Sequence, residues 1–291
     1  MTVVTVSTRK IEANGLTFTV DEAGEGDNVA VLLHGFPESR FSWRFQIPLL
    51  AELGWRVIAP DLRGYGGSSR PSRKDDYHIN HLVEDVAGLF NAVGAKRRLL
   101  IGHDWGAMVA WVFAMDKRLP LDGLIIMNVP HPAVFARVFR TVPAQRKKSW
   151  YVAFFQLPVL PEWINTRRGA QLVADAFTRM AVDKSRFPPE VTDVYRQNAL
   201  IPGAMTAMLN YYRANRDLIG RYGGAAPLIE VPTLMVWSED DTALDIACID
   251  GYESLVSDLT LKRLPGVSHW VQQEAPEAVN AILSDWIGER L

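Results

Sequence analysis

The segment Arg98-Leu-Leu-Ile-Gly102-His103-Asp104-Trp105-Gly106-Ala-Met constrains this chain more than any other. An apolar strand-like run ends in two glycines spaced four apart, and a small, apolar helix-like run from Ala107 to Phe113 follows at once. Glycines on both sides of one residue permit a sharp strand-to-helix turn that holds the central side chain up beside the positive end of a helix. A simple helix cap would explain Asp104 alone, but it would not require glycine at both flanks. The central residue is an aspartate where such elbows more often carry serine.

The surroundings agree with that turn. Apolar runs at Leu16–Val20, Val29–Leu33, Arg56–Ala59, Leu99–Ile101, Gly123–Val129, Thr233–Trp237 and Leu259–Leu264 read as strands, most of them bounded by Gly, Pro or Asp. Ile79, Leu82, Val83, Val86, Leu89, Phe90 and Val93 share one helical face, and Val279 to Ile287 repeat the pattern near the end. Continuous apolarity in VAVLLH and GLIIMNV indicates strands covered on both faces, the habit of parallel sheets. The expected architecture is α/β, with a mostly parallel eight-stranded sheet flanked by helices. Strands vanish between about His131 and Pro227, where aromatic, mixed-charge helical stretches such as Ser149–Phe155 and Ala204–Arg213 take over. This predicts a core domain of residues 1–130 and 228–291 interrupted by a helical cap at 131–227, opened by VPHP and closed by YGGAAP. A cleft between the two is where a small ligand is expected to bind.

Composition narrows the partners. The net charge of −2 has both signs interspersed, so the whole chain shows no electrostatic footprint for nucleic acid or anionic lipid. A single cysteine, Cys248, excludes an internal disulfide and a cysteine-rich zinc site. The first residues, MTVVTVSTRKIEANG, lack the basic-then-apolar pattern of a leader, and no apolar run approaches the ~18 residues of a membrane span. A cytoplasmic protein is expected; monomer and homodimer are not distinguished.

A carboxylate at the elbow attacks esters poorly but displaces a leaving group from sp³ carbon, giving an alkyl ester of Asp104. Breaking that ester by attack of water on its carbonyl needs a base and oxyanion donors. Elbow enzymes place their partners in the order nucleophile, acid, histidine. Of the six histidines only His131 and His269 follow Asp104, and His131 precedes any acid in a suitable place, so His269 is the expected base. The acid should follow a late strand, where Glu239, Asp240 and Asp241 stand together. The end of the strand before the cap, Ile126-Met-Asn-Val-Pro, offers none. The oxyanion donors should be the backbone N–H of Trp105 and that of Phe36 in the loop Leu33-His34-Gly35-Phe36-Pro37, where Pro37 is a natural place for a cis bond.

With these residues in order, the chain resembles the α/β-hydrolase superfamily over nearly its whole length, and within it the epoxide hydrolases. His34-Gly-Phe-Pro, Gly64-Tyr-Gly-Gly-Ser, Gly102-His-Asp-Trp-Gly and Gly266-Val-Ser-His-Trp carry the likeness. Alignment of the late acidic turn selects Asp241. Haloalkane dehalogenases share the aspartate elbow and the following tryptophan, so the leaving group must discriminate. Water has a pKa of ~15.7, and an alkoxide of similar basicity needs an acid, which a tyrosine of pKa ~10 supplies at neutral pH. Epoxide hydrolases resemble one another in carrying two cap tyrosines. Ser149-Trp-Tyr-Val-Ala-Phe-Phe matches the first segment and implies Tyr151; Leu209-Asn-Tyr-Tyr-Arg matches the second and implies Tyr212 rather than Tyr211. Phe36 stands where some dehalogenases present an asparagine to halide. Trp105, Phe36, Pro37, Trp150, Phe154 and Tyr211 are expected to contact substrate. The resemblance thus implies hydrolysis of a small-molecule epoxide to a vicinal diol with no metal or organic cofactor. A dehalogenase using the same aspartate, or a ligand-binding protein that keeps the constellation without using it, are the alternatives.

Overall fold

The computed structural model describes residues 4–221 and 226–291. Eight strands, β1 (Ser7–Ala13), β2 (Leu16–Ala23), β3 (Asn28–Leu33), β4 (Arg56–Pro60), β5 (Arg97–His103), β6 (Gly123–Met127), β7 (Thr233–Ser238) and β8 (Leu259–Leu264), form one sheet. Their spatial order is β1-β2-β4-β3-β5-β6-β7-β8. Only the β1–β2 and β2–β4 pairs are antiparallel; the remaining five are parallel. All seven sequence-predicted runs are strands. The eighth, β1, has the sequence STRKIEA and buries only Ile11 and Ala13, which is why apolar patterning did not reveal it. It is an edge strand, where charged side chains discourage pairing with other chains.

The helices are α1 (Gln46–Glu52), α2 (Ile79–Ala92), α3 (Trp105–Met115), α4 (Pro132–Thr141), α5 (Pro143–Lys148), α6 (Trp150–Phe154), α7 (Leu160–Met180, bent at Arg167–Ala170), α8 (Pro189–Leu200), α9 (Ala204–Ala214), α10 (Leu218–Arg221), α11 (Val271–Glu274) and α12 (Pro276–Arg290). α2 and α3 cover one sheet face with the apolar stripe read from the sequence. α1 and α12 cover the other, around Trp43, Trp55, Leu283 and Trp286. Helices α4 to α10 all lie between β6 and β7 in the chain. VPHP opens this insertion as a helix start: Pro132 is in the first turn of α4, and the His131 side chain accepts from the Ala133 N–H at 3.1 Å. The closing residues at 222–225 lie outside the described ones. Among the described residues no helix is long and apolar enough to cross a membrane.

Register fixes where chemistry can sit. Leu33 pairs with Gly102, and His103 with Met127, so the carboxyl ends of β3, β5 and β6 share one sheet edge. The chain runs from β3 outward to β4 on one side and to β5 on the other, so the β3/β5 boundary is the point where strand order reverses. Crevices at that boundary are the usual ligand sites of open α/β sheets.

The elbow depends on bare backbone. A Cβ on Gly106 would lie 2.0 Å from the Leu33 carbonyl oxygen, and one on Gly102 would lie 2.5 Å from that of Gly106. These are backbone atoms within two strands and a helix, so they cannot step aside. Gly106→Ala should therefore lower the thermal unfolding midpoint by several degrees, at or beyond the ~1–3 kcal/mol typical of overpacking; an unchanged midpoint would show that the crossing is looser than described.

Candidate active site

Asp104 follows the last residue of β5 and precedes the first of α3. Its backbone is at φ +49°, ψ −121°, a conformation that L-residues rarely adopt. Such positions cost about 1–3 kcal/mol and persist only where the surroundings enforce them. Here the enforcement is the apolar burial of α3, in which Val109, Ala110, Trp111, Val112 and Phe113 are all inaccessible to solvent. Because Met108 N–H donates to the Asp104 carbonyl, the earlier N–H groups of the first turn, including that of Trp105, have no partner within the helix.

His269 sits in the loop between β8 and α11, fully buried but for its edge on the cleft. Its Nε2 is 3.5 Å from Asp104 Oδ2 and its Nδ1 is 2.6 Å from Asp241 Oδ2. The other Asp241 oxygen accepts the N–H groups of Ala243 and Leu244 at 2.7 and 2.9 Å. The neighbouring acids face elsewhere: Asp240 accepts the Gly266 N–H and Glu239 pairs with Arg263. His131, the other histidine after the elbow, is buried at the start of α4, and burial pushes its imidazole down to about 4.

The ion arrangement is mutually dependent. Burial alone would push His269 below its usual range, but Asp241 and then Asp104 outweigh it, and its pKa stands well above 6.5. Burial alone would push Asp104 up, yet the hydrogen bond and charge of His269, with the Phe36 N–H, hold it below the usual carboxylate range. Asp104 is thus an ionised carboxylate beside a protonated imidazole.

On the opposite side of Asp104, the Phe36 N–H donates to Oδ1 at 2.7 Å. The Phe36–Pro37 bond is cis. A Cβ on Gly35 would lie 2.2 Å from Asp104 Cβ, so glycine alone lets this loop reach the elbow. Burial depresses the pKa of His34, so its ring is neutral. In that form Nδ1 donates to the Gly35 carbonyl while Nε2 accepts the Leu62 N–H, fixing the loop to the chain after β4.

Two cavities meet at Asp104. The smaller is lined by Trp105, Met108, Phe135 and Leu218, the larger by Phe36, Pro37, Trp150 and Phe154; Asp104, His269, Tyr151 and Tyr212 belong to both. The Tyr151 and Tyr212 rings stand edge to face at 6.0 Å. Burial, with a smaller push from the Asp104 charge, raises both phenol pKa values above 10. One expected substrate contact falls away. Tyr211 lines neither cavity; it is fully buried, and its hydroxyl donates to the Arg63 carbonyl at 2.9 Å, tying α9 to the loop after β4.

Sequence reasoning also missed the supports. Glu38 is fully buried. It accepts from the Gly35 N–H, from His103 Nδ1 and from the side-chain amides of Gln272 and Gln273, all at 2.8–2.9 Å. His103 Nε2 lies 2.8 Å from the His269 carbonyl. Asn128, at φ +55°, donates to the same carbonyl at 2.9 Å and accepts the Ser238 N–H at 2.7 Å. The place where an acid was looked for and found absent therefore holds a clamp on the histidine loop. Little local signal marks Glu38, since all its partners but Gly35 lie 65 or more positions away.

Comparison with known proteins shows the family. The family described as alpha/beta hydrolase fold matches residues 28–276. Epoxide hydrolase 3 of Xenopus tropicalis is 36% identical over 286 residues, covering 96% of this chain and 77% of that protein. The AB hydrolase superfamily protein YfhM of Bacillus subtilis is 37% identical over 278 residues, covering 95% and 96%. A crystal structure of an epoxide hydrolase variant from Bacillus megaterium, complexed with its diol product, superposes with a TM-score of 0.87 at 28% identity, covering 96% of this chain and all of that one. The chain belongs to the α/β-hydrolase fold family, and within it to the epoxide hydrolases.

Removing the charge on Asp104 takes away one of the two anions that hold His269 protonated. Asp104→Asn should therefore lower the His269 pKa, moving the pH range in which the ring is neutral downward; an imidazole NMR titration reads this, and an unmoved midpoint would contradict the coupling.

Proposed function

We propose that this member of the epoxide hydrolases converts an epoxide to a vicinal diol through a covalent hydroxyalkyl ester on Asp104. The helical insertion of 131–227 acts as a cap on a core of 1–130 and 228–291. Tyr151 and Tyr212 hold the epoxide oxygen from the cap side while the Asp104 carboxylate attacks a ring carbon from below. The carbon–oxygen bond of the ring breaks, and the oxygen leaves with a tyrosine proton. The carrying observation is that both phenols border each cavity that reaches Asp104, so any oxygen presented to this carboxylate meets a donor.

The second half follows from electrostatics. Esterification removes the Asp104 charge, so the balance that kept His269 protonated shifts toward the neutral ring. Neutral His269, with Nδ1–H donated to Asp241, takes a proton from water attacking the ester carbonyl. The N–H groups of Phe36 and Trp105 receive the tetrahedral oxyanion. Collapse restores Asp104 and releases the diol; Trp105, Phe36, Pro37, Trp150 and Phe154 form the aromatic walls around the substrate. Halide release is less well served, because Phe36 provides no side-chain donor in the position where some dehalogenases carry asparagine.

Two variants separate the steps. Asp104→Asn should abolish turnover with no mass gain on addition of styrene oxide, whereas His269→Gln should slow turnover by ~10²–10⁴ and accumulate an adduct of the epoxide's mass. Identical intact-mass spectra for the two would exclude His269 from the second step alone. Tyr151→Phe and Tyr212→Phe should each retain measurable turnover, while the double variant should lose about 10²–10⁴ or more, as expected when the last general acid is removed. Full activity of the double variant, measured by diol formation, would leave the oxygen without its assigned proton donors.

A further inference from the structure

The net charge of −2 conceals a separation of charge along the fold. Residues 131–227 carry fourteen Lys and Arg against six Asp and Glu, while the remainder carries seventeen against twenty-seven. The sheet domain is strongly acidic and the helical insertion strongly basic. Two of the insertion's acids near the cleft are already occupied, Glu162 by Arg213 and Asp175 by Arg179. By contrast Arg146, Lys147, Arg167 and Arg168 are exposed and form no ion pair among the described residues.

The same stretch exposes large apolar side chains. Val159 is 74% exposed, Trp150 66% and Trp163 56%, with Leu157, Leu160 and Leu172 also open to solvent. Arg167 stands over the Trp163 ring at 5.0 Å, so cation and aromatic present together. Val159 is held at φ +64°, a costly conformation for a β-branched residue, and this turn puts it outward at the start of α7. Trp150 and Leu172 also line the larger cavity, so the patch adjoins the mouth of the cleft.

We infer that the face formed by α5, α6 and the first part of α7 docks on anionic lipid bilayers, with the mouth of the larger cavity turned toward the membrane. Exposed cations beside Trp, Leu and Val are the combination that binds at a bilayer surface: the cations meet anionic headgroups and the apolar tips enter the interface. Self-association through this face would bring two like-charged surfaces together. Nucleic acid would satisfy the cations but leave Leu157, Val159 and Leu160 in water. The acidic sheet domain would be repelled by the same headgroups, so opposite charges on the two ends also orient the molecule. An apolar epoxide dissolved in the bilayer would then enter the cleft without crossing bulk water.

The test uses the whole protein and does not require epoxide turnover. Co-sedimentation with phosphatidylcholine vesicles containing phosphatidylglycerol should capture the protein at low ionic strength, whereas pure phosphatidylcholine vesicles should not. Binding should fall as salt shortens the screening length below ~10 Å. Lys147→Gln and Arg167→Gln should each weaken binding about fivefold, and Trp163→Ser should weaken it at all salt concentrations, with unchanged unfolding midpoints. Equal binding to neutral vesicles, no binding to anionic ones, or wild-type binding by all three variants would overturn the inference. So would a dimer in light scattering that Trp163→Ser dissolves, or capture by duplex DNA in preference to vesicles.

Discussion

One backbone crossing sets the geometry of the whole site: Gly106 passes the Leu33 and His34 carbonyls so closely that no Cβ fits between them. That contact joins the first turn of α3 to the end of β3. It thereby brings the Asp104 carboxylate and the Phe36 N–H, on two different segments, within 2.7 Å. Strain at Asp104 is the local cost, and the fully buried apolar surface of α3 offsets it. Burial of this kind is the usual means by which a fold keeps a reactive side chain in a conformation it would leave if free.

Around that crossing, the buried polar groups form a second frame. Glu38 gathers four donors, one from its own loop, one from the residue before Asp104, and two from α11. Burial would push Glu38 up, yet His103, by charge and hydrogen bond, and the Gly35 N–H hold its carboxyl below the usual range. A buried anion is tolerated only when its lone pairs are filled, and removal of one partner leaves the rest of the desolvation penalty exposed. The histidine loop is thus held by His103 and Asn128 through its carbonyl, while the ring is left free to be held by Asp241. The backbone carbonyl and the ring of this residue are thus held by different partners.

This division explains what was legible in the sequence. Elements governed by local periodicity could be read: seven strands, the amphipathic α2, and the glycines that only a tight turn explains. Asp104, His269 and the glycine loop could be named because each sits at the end of a strand, where chain order and chemistry coincide. Asp241 rather than Asp240 was legible only through the resemblance, by alignment of the turn, for adjacent side chains point opposite ways and composition does not say which. Glu38 and Asn128 stayed hidden because most of their partners come from segments far apart in the chain. Tyr211 shows the converse error. Beside Tyr212 it looks equivalent, but adjacent positions on a helix face about 100° apart, so one phenol borders the cleft and the other anchors α9 to the core.

On the proposed route, the placement of the phenols and of the carboxylate would also set the order of proton movement. Tyr151 and Tyr212 are buried enough to resist ionisation, so the site begins with its acids protonated on one side and an ionised Asp104 on the other. Against the effect of burial, Asp241 and Asp104 raise the His269 pKa, so on the proposed route the ring would begin protonated beside the charged Asp104. In the proposed mechanism, alkylation of Asp104 would do two things with one bond: it would open the epoxide, and it would remove an anion that favours the protonated imidazole. The proton released by the imidazole would replace the one a phenol had given up, directly or through solvent. The order of the two proposed chemical steps would then follow from Coulomb interactions within one cleft.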